Sequence, residues 1–183
     1  MAVTRRPRRL AAICALAALA LAATGADAVA AEFTGRVVGV RDGDTLDLVT
    51  PSNEQLRVRL AAIDAPEKGQ AFGNAARRAL SALTYRRIVR VEWSKRDAYG
   101  RVVGKVLLQG DDVGLELIRR GLAWHYTAYA GEQRPAERAR YAAAEAAARS
   151  RRLGLWAGSD PVAPWRYRHG DRGAALSRER AAG

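Results

Sequence analysis

Residues 55–67 read QLRVRLAAIDAPE, and the two halves of this stretch follow different rules. In QLRVRL the aliphatic Leu56, Val58 and Leu60 alternate with Arg57 and Arg59. A period of two places the aliphatics on the core face of a strand and the guanidinium groups on the other. The second half drops the alternation: Ala61-Ala62 leads to Asp64, and Pro66-Glu67 follow at once. On a regular strand Asp64 shares the face of Leu60 and lies opposite Arg59. Both reach one site only if the strand ends or bulges near Ala62, which the small alanine pair permits.

Working outward, strand-like segments precede this stretch at 33–40 and 45–49, and the third strand is expected over 56–63. Asp42-Gly43 and Pro51-Ser52-Asn53 break them. After Pro66 a helix is expected over 70–83, with Phe72, Ala76, Leu80 and Leu83 at helical spacing. Strands at 88–93 and 102–108 follow, joined by a polar loop ending in Tyr99-Gly100. A second helix starts at Asp111-Asp112, which cap it, and stops at Gly121. Pro135 opens a third, alanine-rich helix that runs to about Arg152, with Gly154 as its stop. Three strands, a helix, two strands and two helices predict an α+β, mainly β fold. It is a five-stranded OB-type Greek-key barrel with three helices. A generic α+β sheet shares this order of elements.

Both ends of the chain lie outside that pattern. Arg5, Arg6, Arg8 and Arg9 precede an apolar run from Leu10 to Ala23, and small residues around Ala28 and Ala30 offer cleavage points. Residues 1–30 thus have the layout of a secretory signal peptide, with an apolar core too short to span a bilayer comfortably and an uncleaved anchor as the alternative. The domain is expected over 31–158. Residues 159–183, with Pro161, Pro164 and several arginines, read as a basic, poorly ordered tail, from which Trp165 can pack back onto the domain. The only cysteine, Cys14, lies inside the apolar run, so the processed chain has no disulfide framework. Lys and Arg number 31 against 19 Asp and Glu, a balance that favours polyanionic partners such as nucleic acid, anionic membrane or acidic polysaccharide.

Against this basic background, residues 40–49 read VRDGDTLDLV and group Asp42, Asp44 and Asp47 around a glycine. Asp-Gly alone marks an ordinary hairpin turn. Asp64 and Glu67 add a second acidic group, and residues 97–101, DAYGR, deliver Arg101 to the start of a strand. Two carboxylates suit a hard cation with oxygen ligands, and a carbonyl of the Asp64-Ala65 segment can add a third. A spare carboxylate can take a proton from water, and arginines fit phosphate oxygens. These are the parts that phosphodiester hydrolysis needs.

The joint spacing DGDT, R-x4-D-x-P-E and D-x-YGR resembles the thermonuclease family, typified by staphylococcal nuclease, over about 33–156. The resemblance implies an OB-type barrel and calcium-dependent hydrolysis of DNA and RNA that leaves 3′-phosphates. It implies that Asp44 and Asp64 bind Ca2+ through their side chains and Ala65 through its main-chain oxygen, with Asp42 supporting them from behind. Glu67 is implied as the general base, Arg59 and Arg101 as the grip on the scissile phosphate, and Tyr99 and Tyr129 as neighbours of the nucleotide. The chain departs from the family pattern at Ala65, where the founding member has threonine, and at Ala98, where a lysine is replaced. The loop after Pro66-Glu67 is also shorter.

Other residues read as structural. Asp47 is expected to be structural or solvated, Arg57 solvent-facing, and Glu54, Asp111 and Asp112 turn or cap residues. Trp124-His125-Tyr126 suits a base-stacking platform, with core packing equally open for Trp124. His125 reads as structural, Trp93 and Trp156 as core, and His169 as solvated. The expected protein is an exported (periplasmic or secreted), monomeric, calcium-dependent nuclease of DNA and RNA, single-stranded or locally unpaired. The alternative is a non-catalytic nucleic-acid-binding OB-fold module. A cationic envelope-associated protein explains the charge but not the carboxylates.

Overall fold

Residues 31–170 are described by the computed structural model; the segment read as a signal peptide and residues 171–183 of the tail lie outside the described residues. The first strands are β1 (Ala31–Val40), β2 (Thr45–Val49), β3 (Gln55–Leu60) and the two-residue β4 (Ile63–Asp64). Helix α1 (Gly73–Thr84) leads to β5 (Ile88–Arg96) and β6 (Val102–Leu108). Then come β7 (Asp111–Asp112), α2 (Val113–Arg119), β8 (Trp124–His125), α3 (Pro135–Ser150) and α4 (Pro164–Arg168).

Five long strands pair in the order β3-β2-β1-β5-β6, with the short β7 added to β6. A parallel pairing of β3 with β6, Val58 opposite Val102 and Arg59 opposite Val103, closes the sheet. Closure leaves the barrel strands without a free edge and gives the OB-type fold. The expected alternation holds in β3: Leu56, Val58 and Leu60 are buried. They join Leu46, Leu48, Val89, Val91, Val102 and Val106 inside the barrel, and Leu80, Leu115, Leu117, Ile118 and Tyr141 extend this core to the helices. Each large aliphatic buried here contributes about 1.5–3 kcal/mol by leaving water.

Caps and turns fix the helices around the barrel. The Asp112 carboxylate accepts the Leu115 amide at 3.1 Å, as expected of a cap, and also the buried Tyr141 hydroxyl at 2.8 Å. One carboxylate therefore starts α2 and ties α3 to it. Gly121 ends the turn after α2 at φ 65°, where an added Cβ would meet the Leu153 carbonyl oxygen at 2.1 Å.

Several expectations are corrected. The third strand does not run through to 63: it breaks at Ala61-Ala62, where Ala62 takes φ 63°. Phe72 is not on the buried helix face, because it precedes α1 in a left-handed conformation (φ 65°) and is exposed. Of the two readings of Asp47, structural or solvated, the structure bears out the first: it is buried, with Arg41 Nε at 2.5 Å and Arg57 Nε at 2.9 Å on its two oxygens. Within the basic tail, Pro164–Arg168 form the helix α4. Pro164 starts this helix, Trp165 stacks on Tyr126 at 5.3 Å, and the Gln70 side chain donates to the Val162 carbonyl at 2.6 Å. Among the described residues, no helix is long and apolar enough to cross a membrane.

Candidate active site

The tight turn between β1 and β2 sets the position of Asp44. The Asp42 carboxylate accepts the Asp44 amide at 3.0 Å, an Asp side chain closing its own turn. Gly43 between them has no room for a side chain: a Cβ would lie 2.6 Å from the Cβ atoms of both Ala65 and Ala76. The glycine thus lets the DGDT turn lie directly on the Asp64-Ala65 segment and on α1. Across that contact the Ala65 amide donates to Asp44 Oδ2 at 3.0 Å, and the Thr45 hydroxyl donates to Oδ1 at 3.0 Å.

Arg59 joins the two acidic segments. Its Nη1 lies 3.3 Å from Asp44 Oδ2, and its Nη2 donates to Asp64 Oδ1 at 2.8 Å. Nη1 also donates to the Ile63 carbonyl at 3.1 Å, which holds the kinked segment around Ala62. Asp64 is 1% exposed, and β4 carries it against Trp124 of β8. Burial, with the neighbouring Asp44 charge added, raises the Asp64 carboxyl above its ordinary value despite the hydrogen bond from Arg168. Burial and Asp44 push Asp42 up to about 6. Burial acts to lower the Arg59 pKa, but Asp44 and Asp64 outweigh it and raise it. The carboxylates therefore repel one another in a poorly solvated place, a condition that added positive charge relieves.

Glu67 stands at the rim. Its amide donates to Gln70 Oε1 at 3.1 Å, and α1 begins directly on its backbone, since a Cβ on Gly73 would lie 2.0 Å from the Glu67 carbonyl oxygen. Arg101 is aimed by Asp97, which accepts its Nε at 2.7 Å and the amides of Arg101 and Tyr99 at 3.0 and 2.9 Å. Burial acts to raise the Asp97 carboxyl, but these hydrogen bonds prevail and hold it below its ordinary value. Tyr99 is exposed beneath the Arg101 guanidinium, 5.4 Å from its ring centre. Tyr129 is half exposed, with Lys95 Nζ 4.8 Å from its ring centre and Tyr126 edge-on at 5.2 Å.

One open groove of about 1310 Å³ is lined by Asp42, Asp44, Arg59, Asp64, Ala65, Glu67, Tyr99, Arg101 and Tyr129. Every site residue expected from sequence thus faces the same space. Ala65 meets Asp44 through its amide nitrogen. The base-stacking reading of Trp124-His125-Tyr126 is not what the packing shows for the first two. Trp124 packs edge-on against Trp156 at 4.4 Å and Trp165 at 5.5 Å, while His125 is buried with its Nε2 2.8 Å from Gln133 Oε1. Only Tyr126 of the three lines the groove.

Arg168 was not foreseen. From α4 it lies in the groove with Nη2 2.9 Å from Asp64 Oδ2 and Nη1 2.7 Å from Glu67 Oε1. The one sequence signal for it was Pro164-Trp165, a proline that can open a helix beside an aromatic that can anchor it.

The donor set suits a hard divalent cation. Asp44 and Asp64 supply carboxylate oxygens held together by Arg59, and a protein cation, Arg168, already stands against Asp64. Among the described residues no three His, Cys, Asp or Glu side chains are grouped as a metal cage, so a cation held by Asp44 and Asp64 would need further oxygen ligands from the main chain or water.

A closed OB-type barrel carrying a buried acidic pair, two arginines and rim tyrosines in one groove defines a site for an anionic substrate met together with a cation. The staphylococcal nuclease homologue family matches residues 57–158. A protein named micrococcal nuclease from Shigella flexneri is 39% identical over 153 residues, which cover 79% of this chain and 85% of the relative. An uncharacterized endonuclease from Haemophilus influenzae is 38% identical over 139 residues, covering 76% of this chain and 75% of that protein. A staphylococcal-like nuclease from Arabidopsis thaliana is 38% identical over 120 residues, 66% of this chain but 35% of the longer plant protein. The chain belongs to the staphylococcal nuclease family.

Proposed function

We propose that this protein is an endonuclease that hydrolyses phosphodiester bonds of DNA and RNA with the help of a divalent cation, calcium, and leaves 3′-phosphate ends. Membership of the family supports the nuclease class. The observation that carries the reading is Arg59 bridging Asp44 and Asp64 in the groove that also holds Glu67 and Arg101.

Asp44 and Asp64, with the main-chain oxygen of Ala65, would hold the cation. When bound, it would polarise the scissile phosphate and neutralise part of its charge. The chain's own residues do the rest. Arg59 and Arg101 grip phosphate oxygens, most tightly as charge builds on them in the transition state. Asp97 keeps Arg101 aimed and lowers the entropy lost on binding. Glu67 takes a proton from water; the resulting hydroxide oxygen forms a bond to phosphorus. The bond from phosphorus to the 5′ oxygen breaks, solvent protonates the departing oxygen, and the phosphate stays on the 3′ side. Tyr99 and Tyr129 flank the sugar and base of an unpaired strand. We also infer that the protein acts as a monomer and is exported through residues 1–30, which recovery of a chain lacking them outside the cytoplasm would test.

The discriminating experiment incubates the purified protein with single-stranded DNA and RNA, first with calcium and then with chelator, and identifies the ends. Calcium-dependent cutting to 3′-phosphates is expected. Binding that survives chelator without any cleavage would instead identify a non-catalytic nucleic-acid-binding module.

A further inference from the structure

Arg168 lies beyond the family-matched residues 57–158, yet it engages two groups at the heart of the groove. Its guanidinium forks onto Asp64, Nη2 to Oδ2 at 2.9 Å and Nη1 to Oδ1 at 3.2 Å, and Nη1 also donates to Glu67 Oε1 at 2.7 Å. Other contacts set its position. The Val162 carbonyl accepts from Gln70, the Tyr167 hydroxyl donates to the Gly69 carbonyl at 3.1 Å, and Trp165 lies between Tyr126 and Trp124. Helix α4 is therefore docked by an amide, a phenol and an indole, and it would stay docked if Arg168 let go.

Asp64 accepts Arg59 on Oδ1 and the Arg168 fork on both oxygens. A cation binding Asp64 needs lone pairs that this fork occupies, and the positive charge of Arg168 repels it at contact distance. Glu67, paired with Arg168, is likewise held away from a proton-accepting role. Resting on the nuclease reading above, we propose that α4 is a built wall of the active site and Arg168 a tethered cation. It competes with the divalent metal for Asp64 and holds Glu67 until the metal displaces it. The protein then takes up metal less tightly than its carboxylates alone would allow, and Glu67 is released only when the cation is in place.

Calorimetric titration of calcium into the whole protein tests this without relying on activity. Arg168→Ala should bind calcium about tenfold more tightly than wild type, the factor expected from removing charge-assisted hydrogen bonds to a ligand. Arg168→Lys, which keeps the charge but not the fork, should fall between them. Unchanged or weaker binding by Arg168→Ala, or no measurable uptake by either protein, overturns the proposal. DNA cleavage measured beside the titration separates the two readings. If wild type cuts DNA with calcium while Arg168→Ala titrates like wild type, competition fails and the nuclease stands. If binding tightens in Arg168→Ala and neither protein cuts, competition stands and the nuclease reading fails.

Discussion

Arg59 and Asp64 stand five residues apart on the chain and meet at 2.8 Å because Ala62 between them adopts φ 63°. On an unbroken strand their side chains would point to opposite faces. The left-handed alanine turns the chain over, so a residue that starts on the core side of the pleat ends beside the guanidinium that left on the other. A backbone strain of about 1–2 kcal/mol is the cost of that inversion.

Ala62 therefore separates stability from activity. Ala62→Gly relieves the strain and should leave stability equal or up to about 1 kcal/mol higher, with cleavage retained. Ala62→Val adds a branched Cβ at positive φ and should lower stability by about 2 kcal/mol and depress cleavage. Denaturant unfolding of both variants, paired with single-turnover assays, checks this.

Arg59 is the counter-ion of two buried acids. Arg59→Ala leaves Asp44 without its cation and Asp64 with Arg168 alone, and should destabilise the chelated protein by about 3 kcal/mol. Saturating calcium should return much of that stability by replacing the lost charge, but not the cleavage. Thermal melts with calcium and with chelator report the first effect, and product formation reports the second.

Gly43 is fixed by space. Its absent Cβ would lie 2.6 Å from those of Ala65 and Ala76. Gly43→Ala should cost about 1–3 kcal/mol through overpacking and lift Asp44 off the Ala65 amide. Calcium affinity, read by titration, should fall more than that of a surface Gly→Ala control such as Gly131→Ala.

The Asp97 turn has a defined response to pH. Its folded carboxyl titrates below its ordinary value, so the stability it adds is fully present above about pH 4 and is lost as pH falls through the folded value. The amide resonances of Tyr99 and Arg101 should report that acid transition. Asp97→Asn should abolish it and, by leaving Arg101 unaimed, lower cleavage about tenfold at neutral pH.

Much of this architecture was legible because local pattern and global fold agree. Leu56, Val58 and Leu60 alternate as a half-buried strand must, Asp112 caps where a cap is needed, and the DGDT, Asp64-to-Glu67 and Asp97-to-Arg101 motifs face one groove. The parity conflict between Arg59 and Asp64 even located the kink at Ala62. What stayed hidden is long-range. Asp47 is buried with Arg41 and Arg57 paired to its two oxygens, an arrangement that no period along β2 encodes. Arg168 meets Asp64 across 104 residues, and its segment, rich in arginine and proline, has the local composition of a loose tail. Trp124 likewise reads equally as a stacking platform or a core residue until Trp156 and Trp165 close over it.

The central claim is that this groove cuts phosphodiester bonds with Glu67 as the proton acceptor. Glu67→Gln removes the acceptor and keeps the shape, so the direct measurement is single-turnover cleavage of labelled single-stranded DNA, with binding measured in parallel. The account predicts a loss of about 100-fold or more in the cleavage rate with affinity for DNA retained. Cleavage by Glu67→Gln at the wild-type rate would contradict it.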